Sequence, residues 1–129
     1  MVVVVKKYLP AALIDVLLVL AFAAAGRSSH EEAASIGGLL TTAWPFLTGL
    51  AAGWLITLGL YRDKFDPRLA VPTGVVVWAS TLVLGMLIRV LVGQGTAFSF
   101  ILVAASFLAL FLIGWRALYQ TRRSRRPLA

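Results

Sequence analysis

Four long apolar runs, at about residues 8–25, 37–60, 70–92 and 96–119, leave this chain few ways to fold. Each is long enough, or nearly so for the first, to cross a hydrocarbon layer roughly 30 Å thick at about 1.5 Å of helix per residue. Inside lipid every backbone N–H and C=O has to be satisfied within the segment, so the spans are expected to be helices. Composition points the same way. Apolar residues make up 60% of the chain and charged ones 13%, with a mean hydropathy of +0.93, whereas a soluble domain of this size carries about a quarter of its residues charged. The expected fold is therefore all-α: a polytopic membrane protein forming one four-transmembrane-helix bundle over residues 1–129, with a basic cytoplasmic tail at 120–129. A cleaved signal peptide competes for the first run, with Lys6 and Lys7, an apolar core and the small residues of AFAAAG. Asp15 inside that core argues against cleavage.

Charge placement sets the expected orientation. Four spans put both termini on one side. That side collects Lys6, Lys7, Arg62, Lys64, Arg68, Arg116, Arg122, Arg123, Arg125 and Arg126, leaving Arg27 and Arg89 toward the other. The positive-inside rule then places both termini in the cytoplasm of a cell whose plasma (inner) membrane holds the protein. The net charge of +7 would suggest nucleic acid in a soluble chain, but here the positives flank apolar segments and no nucleic-acid partner is expected. Trp54, Tyr61, Trp115 and Tyr119 fall near the cytoplasmic boundary, as interfacial aromatics do.

The second run contains TTAWPFLTGLAAGW, Thr41 to Trp54. At roughly 100° per residue, Thr41, Trp44, Thr48 and Ala52 form one stripe and Gly49, Gly53 and Thr57 an opposite one. Gly49 and Gly53 predict close helix packing, within the bundle or across a homodimer or larger membrane complex. Pro45 removes a ladder donor, so the carbonyl it frees needs another partner. Thr42-Ala43-Trp44-Pro45-Phe46 matches Thr96-Ala97-Phe98-Ser99-Phe100, and Gly53-Trp54 matches Gly114-Trp115. Two parallel helical-hairpin repeats stand as an alternative to chance recurrence.

A few polar groups need an explanation. Asp15 lies roughly 10 Å into the hydrocarbon beyond Tyr8, where a carboxylate costs on the order of 3 kcal/mol unless it meets protein or water. Two roles fit: a proton or ion-coupling site, or a tie from the first helix to Thr57, Thr81 or Arg116. Arg89 enters from the far side, roughly 14 Å away in depth, so Arg116 is the better partner. On the third run Gly74, Trp78, Thr81, Gly85 and Arg89 share one stripe. It reads either as the lining of an outward polar pocket or as a packing face whose Arg snorkels to headgroups. Arg27, His30, Glu31, Glu32, Arg89 and Gln94 gather at the outer end, where two arginines favour an anionic group and His30 adds pH sensitivity. A solvated loop with mutual Arg–Glu pairing is the alternative.

Catalytic chemistry has few parts to work with. The chain has no Cys, one His and five carboxylates. His30-Glu31 is not H-E-x-x-H, since position 34 is Ala, and no nucleophile elbow, P-loop or dinucleotide fingerprint occurs. No enzyme activity, metal or cofactor is expected.

Gly26-Arg27-x-Ser29-His30, Ala43-Trp44-Pro45-Phe46, Gly53-Trp54, Val77-Trp78, Gly85-Met86-x-x-Arg89, Gly93-Gln94-Gly95-Thr96-Ala97-Phe98-x-Phe100 and Gly114-Trp115-Arg116 follow one another in this order. The set resembles a family of small four-span prokaryotic integral membrane proteins catalogued as a domain of unknown function, over roughly Ala11 to Arg116. The resemblance implies a four-helix membrane protein, brings no assigned activity or ligand, and directs attention to the outward Arg/His/Gln set. The leading functional expectation is a small transporter or permeation protein. Arg27, His30 and Arg89 would hold an anionic or polar small molecule, Trp44 and Trp78 would wall the pocket, Thr81 and Gln94 would orient the ligand, and Asp15 would couple protons or ions. The alternative is a non-catalytic accessory or assembly subunit. Membrane lipids are partners in either case.

Overall fold

The computed structural model describes residues 2–27, 36–94 and 97–125, with side chains over 8–26, 36–94 and 97–123. Among the described residues there are helices and turns and no strand. Helix α1 (Val2–Arg27) is followed by α2 (Ile36–Tyr61) and a 3-10 turn at Arg62–Lys64. A kinked segment, Ala70–Gly74, leads into α3 (Val75–Leu91). Helices α4 (Phe98–Leu108) and α5 (Gly114–Arg125) are joined through a wide π turn at Ala109–Ile113 and make one span.

Four helical stretches, Tyr8–Gly26, Ile36–Lys64, Ala70–Leu91 and Phe98–Arg123, are long and apolar enough to cross a membrane. Their outward side chains decide what the solvent is. Leu17, Leu55, Leu87 and Leu110 are 62, 69, 53 and 67% exposed, one from each span, a surface that lipid tolerates and water does not. The chain is a multi-pass, four-helix membrane bundle. Hydroxyls on that outer surface bond back to their own helix: Thr41 to the Gly37 carbonyl at 2.8 Å and Thr48 to the Trp44 carbonyl at 2.9 Å.

Helices α2 and α3 form the closest pair, and glycine explains it. A methyl on Gly49 would lie 2.7 Å from the Ser80 carbonyl oxygen and 2.9 Å from Thr81 Cα; one on Gly53 would lie 2.9 Å from Val77 Cα. Ser80 Oγ then donates to the Gly49 carbonyl at 2.8 Å. Both glycines are therefore engaged inside the chain, and a homodimer would have to use another face. From α3, Gly85 admits the Phe46 ring, whose Cδ1 would be 2.5 Å from an added methyl. Phe46 in turn meets Phe22 edge-on at 5.1 Å, and Phe22, Phe100 and Phe107 continue the core between α1 and α4.

Helix ends depart from the hydropathy boundaries. Helix α1 starts at Val2, so the backbone of Lys6 and Lys7 belongs to the helix. Helix α5 runs on to Arg125, well past the apolar run. The intervening Gln, Thr and Arg residues are compatible with helix. Val71, which precedes Pro72, is extended (φ −125°, ψ 126°), and the regular third helix begins only at Val75. The Val71–Pro72 peptide is cis. At the end of α3, Gly93 takes φ +79°, with Gly93 N–H donating to Val90 O and Gln94 N–H to Arg89 O at 3.2 and 2.7 Å. This is a Schellman closure, and it turns Gln94 back over its own helix.

Candidate functional site: a buried carboxylate node

Asp15 and Arg116 are wholly buried and meet in a two-pronged ion pair. Arg116 Nη1 donates to Asp15 Oδ1 at 2.9 Å and Nη2 to Oδ2 at 2.6 Å. Two indoles complete the shell: Trp115 Nε1 donates to Oδ1 at 2.9 Å and Trp54 Nε1 to Oδ2 at 2.8 Å. Each carboxylate oxygen thus accepts one guanidinium and one indole N–H, which fills the roughly four lone-pair positions a carboxylate offers. Arg116 also donates from Nε to the Pro67 carbonyl at 2.7 Å and from Nη1 to the Leu112 carbonyl at 2.8 Å. Gly74 leaves room for the guanidinium arm, since a methyl there would lie 3.1 Å from Arg116 Cδ. Helix α1 supplies the carboxylate, α2 an indole, the Pro67 loop a carbonyl, the kink before α3 the space, and α5 the remaining donors.

Local geometry follows from identifiable signals. The π turn adds a residue to the helical repeat and so rotates Gly114–Arg125 by roughly 100° relative to α4. Trp115 and Arg116 thereby both face Asp15. Below the node, the loop between α2 and α3 folds inward. Phe65 is 1% exposed and packs edge-on against Tyr8 and Trp54, with ring centroids 5.3 and 5.7 Å apart. Thr73 Oγ1 donates to the Asp66 carbonyl at 2.7 Å, and Ala70 N–H to Gln120 Oε1 at 2.9 Å. Asp66 turns the chain by accepting Arg68 N–H at 2.9 Å. Its hydrogen bond to the Arg68 side chain also raises that guanidinium's pKa above the ordinary value, against the opposing pull of desolvation.

At the other end of the bundle, Arg89 Nη1 donates to Gln94 Oε1 at 2.8 Å, and the guanidinium lies over the Phe100 ring, 4.7 Å from its centre. Gln94 Nε2 reaches the Thr41 carbonyl at 3.4 Å, the one left without its ladder donor by Pro45. Arg89 and Gln94 are thus brought together, in support of a broken helix. Trp78, Thr81 and Trp44 lie elsewhere. Trp78 donates its indole N–H to the Ala105 carbonyl at 2.9 Å. Thr81 is fully buried, and its hydroxyl finds no partner among the described residues. Trp44 is 42% exposed on the outer face of α2. Arg27 closes α1 with its backbone, but its side chain and the whole of His30, Glu31 and Glu32 lie outside the described residues. An apolar groove of about 360 Å³ opens between α1 and α4, lined among others by Phe22, Phe100, Val103 and Phe107.

Among the described residues, no group of three or more His, Cys, Asp or Glu is placed to hold a metal. The profile of a family described as "Protein of unknown function (DUF3054)" matches residues 12–119. The chain belongs to this family. No curated protein and no solved structure matches it. The matched stretch includes the whole node, from Asp15 to Arg116, and the Arg89–Gln94 pair.

Trp54 and Trp115 are the participants that sequence reasoning overlooked, having read them as interfacial aromatics. The matching Gly53-Trp54 and Gly114-Trp115 dipeptides were the available signal. They place one indole on each oxygen of the same carboxylate.

Proposed function

We propose that this DUF3054 member is a non-enzymatic accessory or assembly subunit, a closed bundle that works by packing against other transmembrane helices. On this reading it lies in the plasma (inner) membrane with both termini in the cytoplasm, as the distribution of Lys and Arg favours. One observation carries the reading: the polar stripe of α3 is closely packed. Gly74 accommodates Arg116, Gly85 accommodates Phe46, Thr81 is buried against the Gly49 crossing, and Trp78 is held by Ala105. Asp15, with its acceptor positions filled, has the character of a structural tie rather than a relay for protons or ions.

A crosslinking experiment tests it. A photoreactive residue placed in turn at Leu17, Leu55, Leu87 and Leu110 samples the lipid face of each span. An assembly subunit gives one discrete adduct from one or two positions and none from the rest. No adduct at any position, together with solute flux in reconstituted vesicles that Arg89→Ala abolishes, would overturn the proposal.

The groove between α1 and α4 favours transport as the second reading. Its Phe100 wall carries the Arg89 guanidinium on its ring, an arrangement suited to an anion with an apolar body. Ligand-induced thermal stabilisation that disappears in Arg89→Ala would select this reading over the first.

A further inference from the structure

The described residues also hold a polar concavity, remote from Arg89 and formed where the α2–α3 loop meets the last turns of α5. A cleft of about 490 Å³ is lined by Arg68, Tyr119, Arg122 and Arg123. A neighbouring one of about 360 Å³ shares Arg68, Tyr119 and Arg123 and adds Asp66, Leu69 and Gln120. Three guanidiniums face one carboxylate, so the cleft keeps a positive excess. Arg68 is held in place by Asp66 and by its Nη1 bond to the Tyr119 hydroxyl at 2.9 Å. Arg122 and Arg123 form no ion pair among the described residues. Directly beneath, Leu118 is 56% exposed, one helical turn below Arg122 on the same face. A cationic cleft standing on an outward apolar surface, where a span leaves the bilayer, has the shape of a phospholipid: phosphate above, acyl chain alongside.

We infer that this cleft binds the phosphate of an anionic phospholipid, with Arg122 and Arg123 as its principal ligands and Arg68 and Tyr119 as its fixed wall. Arginine suits the role because its planar fork grips phosphate oxygens in pairs. The inference does not depend on whether the protein is an assembly subunit or a carrier.

Native mass spectrometry of the full chain, exchanged into detergent and titrated with phosphatidylglycerol, phosphatidylcholine or inorganic phosphate, tests it. Wild type is expected to retain phosphatidylglycerol well beyond phosphatidylcholine. The double variant Arg122→Gln/Arg123→Gln, at two exposed positions, should bind phosphatidylglycerol roughly thirtyfold more weakly, about fivefold for each charge removed near a charged surface. Arg62→Gln/Lys64→Gln removes equal charge from the neighbouring loop, away from the cleft lining, and should retain wild-type binding; circular dichroism checks that both variants fold. Equal weakening in the two double variants, or no preference of wild type for phosphatidylglycerol over phosphatidylcholine, would overturn the assignment. Inorganic phosphate binding as tightly as the lipid would overturn the lipid as the occupant.

Discussion

Replacing Asp15 by Asn changes one atom of the side chain and is expected to weaken the bundle severely. In the native node Oδ1 accepts Trp115 Nε1 and Arg116 Nη1, while Oδ2 accepts Trp54 Nε1 and Arg116 Nη2. An Asn amide must put its NH₂ where one of these oxygens stood. In either orientation that NH₂ faces two donors, so two hydrogen bonds become repulsive contacts and Arg116 keeps a buried charge without a counterion. Removing one partner of a buried pair costs about 3–5 kcal/mol, against a total stability of about 5–15 kcal/mol for a domain. The double variant Asp15→Leu/Arg116→Met removes both charges together and leaves the two indole N–H groups and the Pro67 and Leu112 carbonyls without those partners. It is expected to cost no more than the worse single variant, giving a coupling of at least about 3 kcal/mol. The assay is reversible unfolding in mixed micelles with increasing SDS, followed by tryptophan fluorescence. Asp15→Asn within about 0.5 kcal/mol of wild type, or strictly additive single variants, would refute the reasoning.

Three further outcomes follow from the packing and are read in the same unfolding assay. Gly85→Ala pushes a methyl to 2.5 Å from the buried Phe46 ring and should cost about 1–3 kcal/mol, whereas Gly59→Ala meets nothing within 4 Å and should gain up to about 1 kcal/mol of helix propensity. Thr81→Val replaces a buried hydroxyl that lacks a partner among the described residues by a methyl of the same shape, and should stabilise by about 1 kcal/mol. Gln94→Leu removes the partner of Arg89 and of the Thr41 carbonyl and should cost about 1–2 kcal/mol. That cost should shrink in a Pro45→Ala background, where a backbone N–H again serves Thr41.

Much of this fold could be read from residue order because lipid removes most alternatives. Apolar runs of membrane-crossing length have to be helices, and a carboxylate inside one has to find a partner, which singled out Arg116 by depth and charge. Pro45 likewise announced a carbonyl in need of a donor, though not that Gln94 would supply it. What could not be read was which neighbour each stripe meets. A small-residue face such as Gly49/Gly53 looks the same whether it receives α3 of its own chain or a second copy. The stripe from Gly74 to Arg89 has the residue types of a pocket, yet Phe46 and Arg116 fill the spaces its glycines leave. Trp54 and Trp115 were hidden for a different reason: an indole near a membrane boundary is expected on interfacial grounds alone. The π turn before them, invisible to a regular helical wheel, also sets the rotation at which Trp115 and Arg116 meet that carboxylate.

The most direct measurement is a carbon–nitrogen distance within the node. Solid-state NMR of the protein in lipid bilayers, with Asp labelled at the carboxyl carbon and Arg at the guanidinium nitrogens, reports it. An Asp66→Asn background removes the loop pair formed with Arg68. The hydrogen bonds of 2.6 and 2.9 Å predict a dipolar coupling for carbon and nitrogen about 3.5 Å apart, lost when Arg116 is replaced by Met. A spectrum with no such coupling, or one that survives Arg116→Met, would contradict a bundle held together by Asp15 and Arg116.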